Sequence, residues 1–224
     1  MNFYSPLEDM VEVAKKLPEN QNIKLFLRHS IRYDNPPDGD YSKLLLTPEG
    51  IELARKIGAS IDKEIGFLGA SKVERCQQTI REIYNGIRPQ YKPEKMPEII
   101  VKEGFYHLLG NPFGRENGGL DWFEYFHCLQ TGDDKSTKGI TLKMETQPIL
   151  DAIFSQQSED GKLDIICTHD SHVIILASAL FDYKNGLSGE NWCRYTEGLF
   201  LWGKREDFYA TFRGEIKHFK NFYC

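Results

Sequence analysis

Apolar residues recur along this chain with two periods that alternate. Short continuous apolar runs, typical of buried strands, cover residues 24–27, 65–70, 98–102 and 163–168. Apolar positions at helical spacing follow Thr47, Ser71 and Pro148, and the run from His172 to Phe181 is apolar on every side. Because strands alternate with helices, the pattern predicts an α/β fold, a three-layer sandwich whose mostly parallel central sheet has helices on both faces.

Two regions depart from this alternation. Near the C-terminus, residues 198–202 and 208–212 are apolar and flank Gly203-Lys-Arg-Glu-Asp, which predicts a β-hairpin. Residues 104–140 lack a clear period and are rich in glycine, asparagine and aromatic residues. Long irregular segments in compact domains are often functional, so we interpret this one as a small cap insertion, with its own aromatic core, within a single domain spanning residues 1–224.

Composition narrows the class of protein. The 224 residues carry a net charge of −5, which argues against a nucleic-acid surface. No apolar stretch reaches membrane-spanning length, and the segment after Met1 has no signal-peptide pattern, which predicts a cytoplasmic protein if the chain begins at its natural start. The five cysteines form no Cys-x-x-Cys, so neither a disulfide framework nor a zinc site is favoured.

Cationic residues follow the first predicted strand. Arg28 and His29 come directly after its apolar run, and Arg32 follows three residues later. Ligands bind at the carboxyl ends of strands in open α/β sheets, and two guanidinium groups beside an imidazole suit a dianion such as phosphate. Arg75 lies in the first turn of the helix after Ser71, where backbone N–H groups favour an anion, although it could be a surface arginine.

Two other strand ends carry polar residues. His169 and Asp170 follow the strand at 163–168, and Glu103 ends the strand at 98–102. Structural alternatives are a core histidine for His169, a helix N-cap for Asp170 and a surface carboxylate for Glu103. Together the residues suit phosphoryl transfer without a metal, because an imidazole can attack phosphorus, guanidinium groups can hold its oxygens and a carboxylic acid can protonate the leaving group.

At this point the chain resembles the histidine phosphatase superfamily, which includes acid phosphatases, phytases and phosphoglycerate mutases. The resemblance is carried by four motifs in the family's order: Arg28-His29, Leu46-Thr-Pro-Glu-Gly50, Ser71-x-x-x-Arg75 and Thr168-His169-Asp170. It implies that His29 is a nucleophile that forms phosphohistidine and that Asp170 is the proton donor. It also implies phosphate contacts, which would come from Arg28, Arg32, Arg75 and His169.

One position departs from the family's motifs, and others resemble the mutase-type branch instead of the acid phosphatase branch. Ser30 replaces the glycine after the nucleophile, where its side chain could crowd the phosphate or donate to it. Asn35 resembles an asparagine of the mutase-type branch, and Glu103 resembles that branch's proton donor, so Glu103 is an alternative to the favoured Asp170. His172 falls near a position that contacts substrate in some members.

The sequence therefore predicts a metal-independent phosphomonoester hydrolase that needs no cofactor. Cations are few in residues 104–140, so the expected substrate is a small phosphorylated metabolite and not a polyphosphorylated one. Two alternatives stay open, which are a phosphoglycerate mutase-type phosphotransferase and a non-catalytic protein that binds a phosphate ligand.

Overall fold

A mixed seven-stranded sheet runs through the protein in the order β3-β2-β4-β1-β5-β6-β7. The computed structural model describes residues 7–34, 41–109, 122–133, 135–183 and 192–222. The strands are β1 Ile23–Arg28, β2 Ile65–Ala70, β3 Ile99–Val101, β4 Leu163–Thr168, β5 Gly198–Lys204, β6 Asp207–Phe212 and β7 Glu215–Lys220. The helices are α1 Leu7–Ala14, α2 Pro48–Ser60, α3 Glu74–Gly86, α4 Trp122–Thr131, α5 Leu142–Phe154 and α6 Asp170–Phe181.

The first four strands are parallel, and the last three are antiparallel to their neighbours. In the centre, β1 lies between parallel β4 and antiparallel β5. The predicted α/β class and C-terminal hairpin are thus confirmed. Because β5 runs against β1, the residues that precede β5 lie at the same edge of the sheet as those that follow β1 and β4.

Apolar side chains fill both faces of the sheet. On one face Leu25 and Leu27 of β1 pack with apolar residues of α1, α2 and α3. On the other face Phe26 packs with residues of α4, α5 and α6. This alternation follows from the two-residue period of a strand, and it produces the three predicted layers.

Helix starts agree with the sequence at one position and differ at others. Thr47 caps α2, since its Oγ1 accepts a hydrogen bond from the Gly50 N–H at 3.1 Å. The helix predicted after Ser71 begins at Glu74, with Val73 and not Ser71 at the N-cap. Helix α5 begins before Pro148, because Thr141 caps it and leaves that proline inside the helix.

The segment at 104–140, which was predicted to be a cap insertion, contains a helix that the sequence pattern did not reveal. Helix α4 places Tyr125 and Phe126 in the same buried cluster as α5 and α6, and Phe105 joins it from the turn after β3. These described aromatic side chains therefore belong to the main core, which corrects the expectation of a separate aromatic core; residues 110–121 and 134 lie outside the described residues. None of the helices within the described ranges is both long and apolar enough to cross a membrane.

Candidate active site

The parallel pairing of β1 with β4 brings the two predicted histidines together. Arg28 pairs with Thr168 in the sheet register, and the His29 N–H donates to the Thr168 carbonyl at 2.9 Å. His29 and His169 each follow the last residue of a strand, and their ring centroids are 5.7 Å apart at an interplanar angle of 73°. Adjacent strand ends thus place the two imidazoles side by side.

The hydrogen bonds of His29 define its tautomer. Nδ1 lies 2.8 Å from the Ser30 carbonyl oxygen, which can only accept, so Nδ1 carries the proton. Nε2 then holds a lone pair, to which Arg75 Nε donates at 3.1 Å. Burial, followed by the charges of Arg28 and Arg75, lowers the pKa of His29 well below its usual 6.5. The ring is therefore a neutral imidazole at neutral pH, with its basic nitrogen toward the guanidinium group.

Arg75 also reaches the second imidazole. It is buried in the first turn of α3, and its Nη2 lies 3.4 Å from His169 Nδ1. An arginine only donates, so His169 accepts at Nδ1, and its Nε2–H donates to Ser71 Oγ at 2.9 Å. The pKa of Arg75 is lowered, mainly by burial and also by the charge of Arg32, which places Arg32 within range of this cluster.

Arg28 is held from three directions at the same edge. Its Nη1 donates to the Cys193 carbonyl at 2.5 Å, and its Nη2 lies 3.1 Å from Asp170 Oδ2. The guanidinium carbon sits 4.1 Å from the centre of the Tyr195 ring, a cation–π contact. The segment before β5 therefore fixes the orientation of the first arginine.

Asp170 is the first residue of α6, and His169 occupies the N-cap. Its Oδ1 accepts from the Ser171 N–H at 2.9 Å, and its Oδ2 accepts from the Trp192 indole N–H at 3.0 Å. Burial raises the pKa of Asp170, but Arg28 and the Trp192 N–H outweigh it, so the pKa lies below its usual 3.8. In the ligand-free protein Asp170 is an ionised carboxylate beside Arg28.

The remaining predicted residues lie at different depths. Ser30 is fully buried, and its hydroxyl donates to the Gly50 carbonyl at 2.7 Å, toward helix α2. His172 is also buried, and burial followed by the charge of His169 lowers its pKa to about 3. Arg32 is half-buried and donates to the Tyr33 carbonyl at 2.7 Å.

Two predicted positions are not joined to the cluster by described contacts. Glu103 is exposed on the single helical turn after β3, and within the described ranges no hydrogen bond or ion pair links its carboxylate to the histidines or arginines. Asn35 lies outside the described residues.

Three residues of the site were missed by sequence reasoning. Ser71 was named only as the start of the motif that contains Arg75, but it contacts His169. Trp192 and Tyr195 received no assignment. Only the antiparallel pairing of β5 with β1 brings residues 192–197 to this edge, and no local pattern encodes that pairing. The available signal was weak, namely two aromatic residues directly before an apolar strand.

Solved structures at low sequence identity share the fold of this chain. Phosphoglycerate mutase from Bacillus anthracis str. Sterne shares it with a TM-score of 0.52, at 12% identity over 89% of this chain and 92% of that one. Bacillus stearothermophilus YhfR shares it with a TM-score of 0.50, at 16% identity over 80% of this chain and 90% of that one. No family model and no curated protein matches the sequence.

Proposed function

We propose that this protein is a metal-independent phosphomonoester hydrolase that acts through a phosphohistidine on a small phosphorylated metabolite. The observation that carries the proposal is the state of His29. Its Nδ1–H is committed to the Ser30 carbonyl, and its lone pair at Nε2 faces the Arg75 guanidinium group. A neutral imidazole with a fixed tautomer, aimed at a cationic cluster, is suited to attack a phosphoryl group.

The charges around His29 favour a dianion. Arg28 and Arg75 flank the imidazole, and Arg32 lies within range of Arg75. The carboxylate of Asp170 contacts Arg28. A phosphoryl group that enters this cluster gains positive charge and hydrogen-bond donors from the guanidinium groups. Such preorganised donors stabilise the equatorial oxygens during in-line transfer, which supports a reaction that needs no metal.

The first step forms a bond between His29 Nε2 and phosphorus and breaks the bond between phosphorus and the ester oxygen. Asp170 donates its proton to that oxygen, and the alcohol leaves. In the second step water attacks phosphorus, Asp170 takes a proton from the water, and the bond from phosphorus to Nε2 breaks to release phosphate. Asp170 is a better candidate for the proton donor than Glu103, because Asp170 contacts Arg28 in the site whereas Glu103 is exposed.

The lowered pKa of Asp170 belongs to the ligand-free protein. A bound phosphate dianion engages the donors of Arg28 and places negative charge beside the carboxylate. Both changes favour the protonated acid, so substrate binding itself prepares Asp170 to donate.

The test is phosphate release from an aryl and an alkyl monophosphate, each with and without a chelator. Wild-type activity should resist the chelator, and His29→Ala should lose at least about 10³-fold in kcat. The matched control is His218→Ala, the same exchange on edge strand β7, which should keep full activity. A denaturing quench in alkali during turnover should also trap a phosphoryl group on the wild type that is stable in base and lost in acid, and His29→Ala should lack it.

Full activity of a folded His29→Ala variant would refute the phosphohistidine mechanism. Loss of activity with chelator would instead indicate a metal-dependent hydrolase. Formation of an isomeric phosphate ester without free phosphate would identify a phosphotransferase of the mutase type, which uses the same nucleophile. Binding of phosphate esters without turnover would identify a non-catalytic phosphate-binding protein.

A further inference from the structure

The carboxylate of Asp170 has an unusual second partner. Its Oδ2 accepts the indole N–H of Trp192 at 3.0 Å and also lies 3.1 Å from Arg28 Nη2. Its Oδ1 accepts the N–H of Ser171 at 2.9 Å. Each oxygen therefore has an N–H donor, and one oxygen is shared between an indole and a guanidinium group.

The indole is rigidly placed. Trp192 is 6% exposed, and its ring meets that of Phe126 on helix α4 edge to face, with centroids 5.6 Å apart at 81°. The residues that follow it hold Arg28, through the Cys193 carbonyl and the Tyr195 ring. One short segment thus fixes both the proposed proton donor and the arginine beside it.

The two donors to Oδ2 differ in what substrate does to them. Arg28 can turn its donors to an arriving phosphate, because a phosphate oxygen is a strong acceptor for a guanidinium group. The indole N–H can only donate, and Oδ2 is its acceptor. When Arg28 turns to the phosphate, Trp192 remains as the side-chain donor that keeps the carboxyl group from rotating.

We propose that Trp192 is a positioning residue that holds the carboxyl group of Asp170 in place for proton transfer to the leaving oxygen. The inference rests on the proposed hydrolase function, and it assigns to that reaction a residue from the segment before β5. Trp192 acts through Asp170 and does not touch the reacting atoms.

The electrostatic surroundings give the direction of a pH effect. Asp170 faces Arg28 from β1, Arg75 from α3, His169 and His172 at the start of α6, and Cys193 beside Trp192. Burial raises the pKa of Asp170, while Arg28 and then the Trp192 N–H lower it. Loss of that N–H therefore raises the pKa. Since the acid must be protonated to react, the alkaline fall of kcat/KM should move to higher pH.

The experiment is Trp192→Phe, which keeps a ring against Phe126 and removes the N–H. We expect kcat for an alkyl phosphate to fall roughly tenfold, because the carboxyl group loses the donor that holds it in place for proton transfer. An aryl phosphate, whose leaving group needs little protonation, should lose less than about threefold. The matched control is Trp202→Phe, since Trp202 is 7% exposed on β5 and stacks on Tyr209, away from the site. This control should leave both rates and the pH profile unchanged.

Three outcomes would overturn the inference: equal losses for the two esters, an alkaline limb that stays in place, or the same losses in Trp202→Phe. If Trp192→Phe does not fold, the indole N–H resonances of the three tryptophans are followed by NMR in the wild type and in Asp170→Asn. One resonance should titrate with acid in the wild type and not in Asp170→Asn, and its failure to do so would refute the contact. An inactive wild type would refute the hydrolase function and not this contact.

Discussion

Strand β1 carries a buried cation near each end of the same face, and the two ends have opposite character. Lys24, Phe26 and Arg28 alternate with residues that face the other layer, so all three point toward α5 and α6. At the start of the strand, Lys24 lies 3.1 Å from Asp164 of β4, and both side chains are 1% exposed. At its carboxyl end, Arg28 lies among other cations.

At the Lys24 end the buried charges are balanced. The Lys24 ammonium group donates to Asn22 as well as to Asp164, and Ser158 donates to the other oxygen of Asp164 at 2.6 Å. Burial lowers the pKa of Lys24, and Asp164 opposes that shift. Each charge has an opposite charge and a polar neighbour, which is what a buried ion pair needs to persist.

The Arg28 end has an excess of positive charge. Arg28 and Arg75 both act on His29, and Arg32 acts on Arg75. The carboxylate of Asp170 contacts Arg28. The comparison teaches that burial of a charged group does not by itself indicate function. A balanced pair serves the fold, whereas a cluster with surplus charge of one sign is suited to a ligand of the other sign.

The largest expected effect is a loss of stability when the Lys24–Asp164 ion pair is broken. Lys24→Met leaves Asp164 buried without its cation, so the free energy of unfolding should fall by about 3–5 kcal/mol while kcat stays within about twofold. The measurement is urea unfolding together with phosphate release. Adding Asp164→Leu should recover most of the lost stability, and Lys56→Met, at an exposed pair on α2, should change it by less than about 0.5 kcal/mol. A large loss of kcat with unchanged stability would contradict the comparison.

In the cationic cluster at the Arg28 end, Arg75→Gln should reduce activity and leave stability intact. It removes a donor from His29 and His169, so kcat/KM for an aryl phosphate should fall by about 10²–10³-fold. Stability should be kept or rise, because one of several neighbouring cations is gone. Arg81→Gln on the same helix, from an exposed pair with Glu74, is the control and should leave the rate unchanged. Unfolding without a specific kinetic loss would argue that Arg75 is structural.

Acid should weaken the protein through its buried neutral histidines. Folded His172 stays neutral down to about pH 3, whereas the unfolded chain takes up a proton below the usual pKa of 6.5. Stability that is present above pH 6.5 is therefore lost as the pH falls below it, by about 1.4 kcal/mol per pH unit for one proton. His172→Gln should reduce this slope in urea unfolding between roughly pH 6.5 and 4.5. The control is His218→Gln, at an exposed histidine. An equal reduction of the slope in this variant would refute the assignment of the pH dependence to His172.

The smallest effect should come from Ser30. Its hydroxyl is turned toward the Gly50 carbonyl, so Ser30→Ala should cost about 1 kcal/mol of stability and change kcat/KM less than about threefold. Ser60→Ala, which removes a similar bond to the Ile57 carbonyl, provides the comparison. A drop of more than about tenfold in kcat/KM for Ser30→Ala alone would show that the hydroxyl contacts the phosphate.

Local elements were predictable because local pattern determines them. The strands at 65–70 and 163–168 have the predicted bounds, and Thr47 caps α2 as its side chain and the following proline indicate. Helix α4 and strand β7 were not predicted, because α4 lies in a segment without clear periodicity and four of the six residues of β7 are charged or histidine. Their identity depends on the main core and on the partner strand β6.

The sequence by itself determined that the chain alternates strands with helices and that charged residues stand where strands end. It thereby named Arg28, His29, His169 and Asp170 as candidates, because a buried apolar run cannot continue into charge without a reason. Arg75 was named from its place in the first turn of a helix. Only the tertiary structure decided that β5 runs beside β1, that Trp192 reaches Asp170 and that Ser71 serves His169. Strand order and the contacts across it depend on packing between residues far apart in the chain, which no local pattern contains.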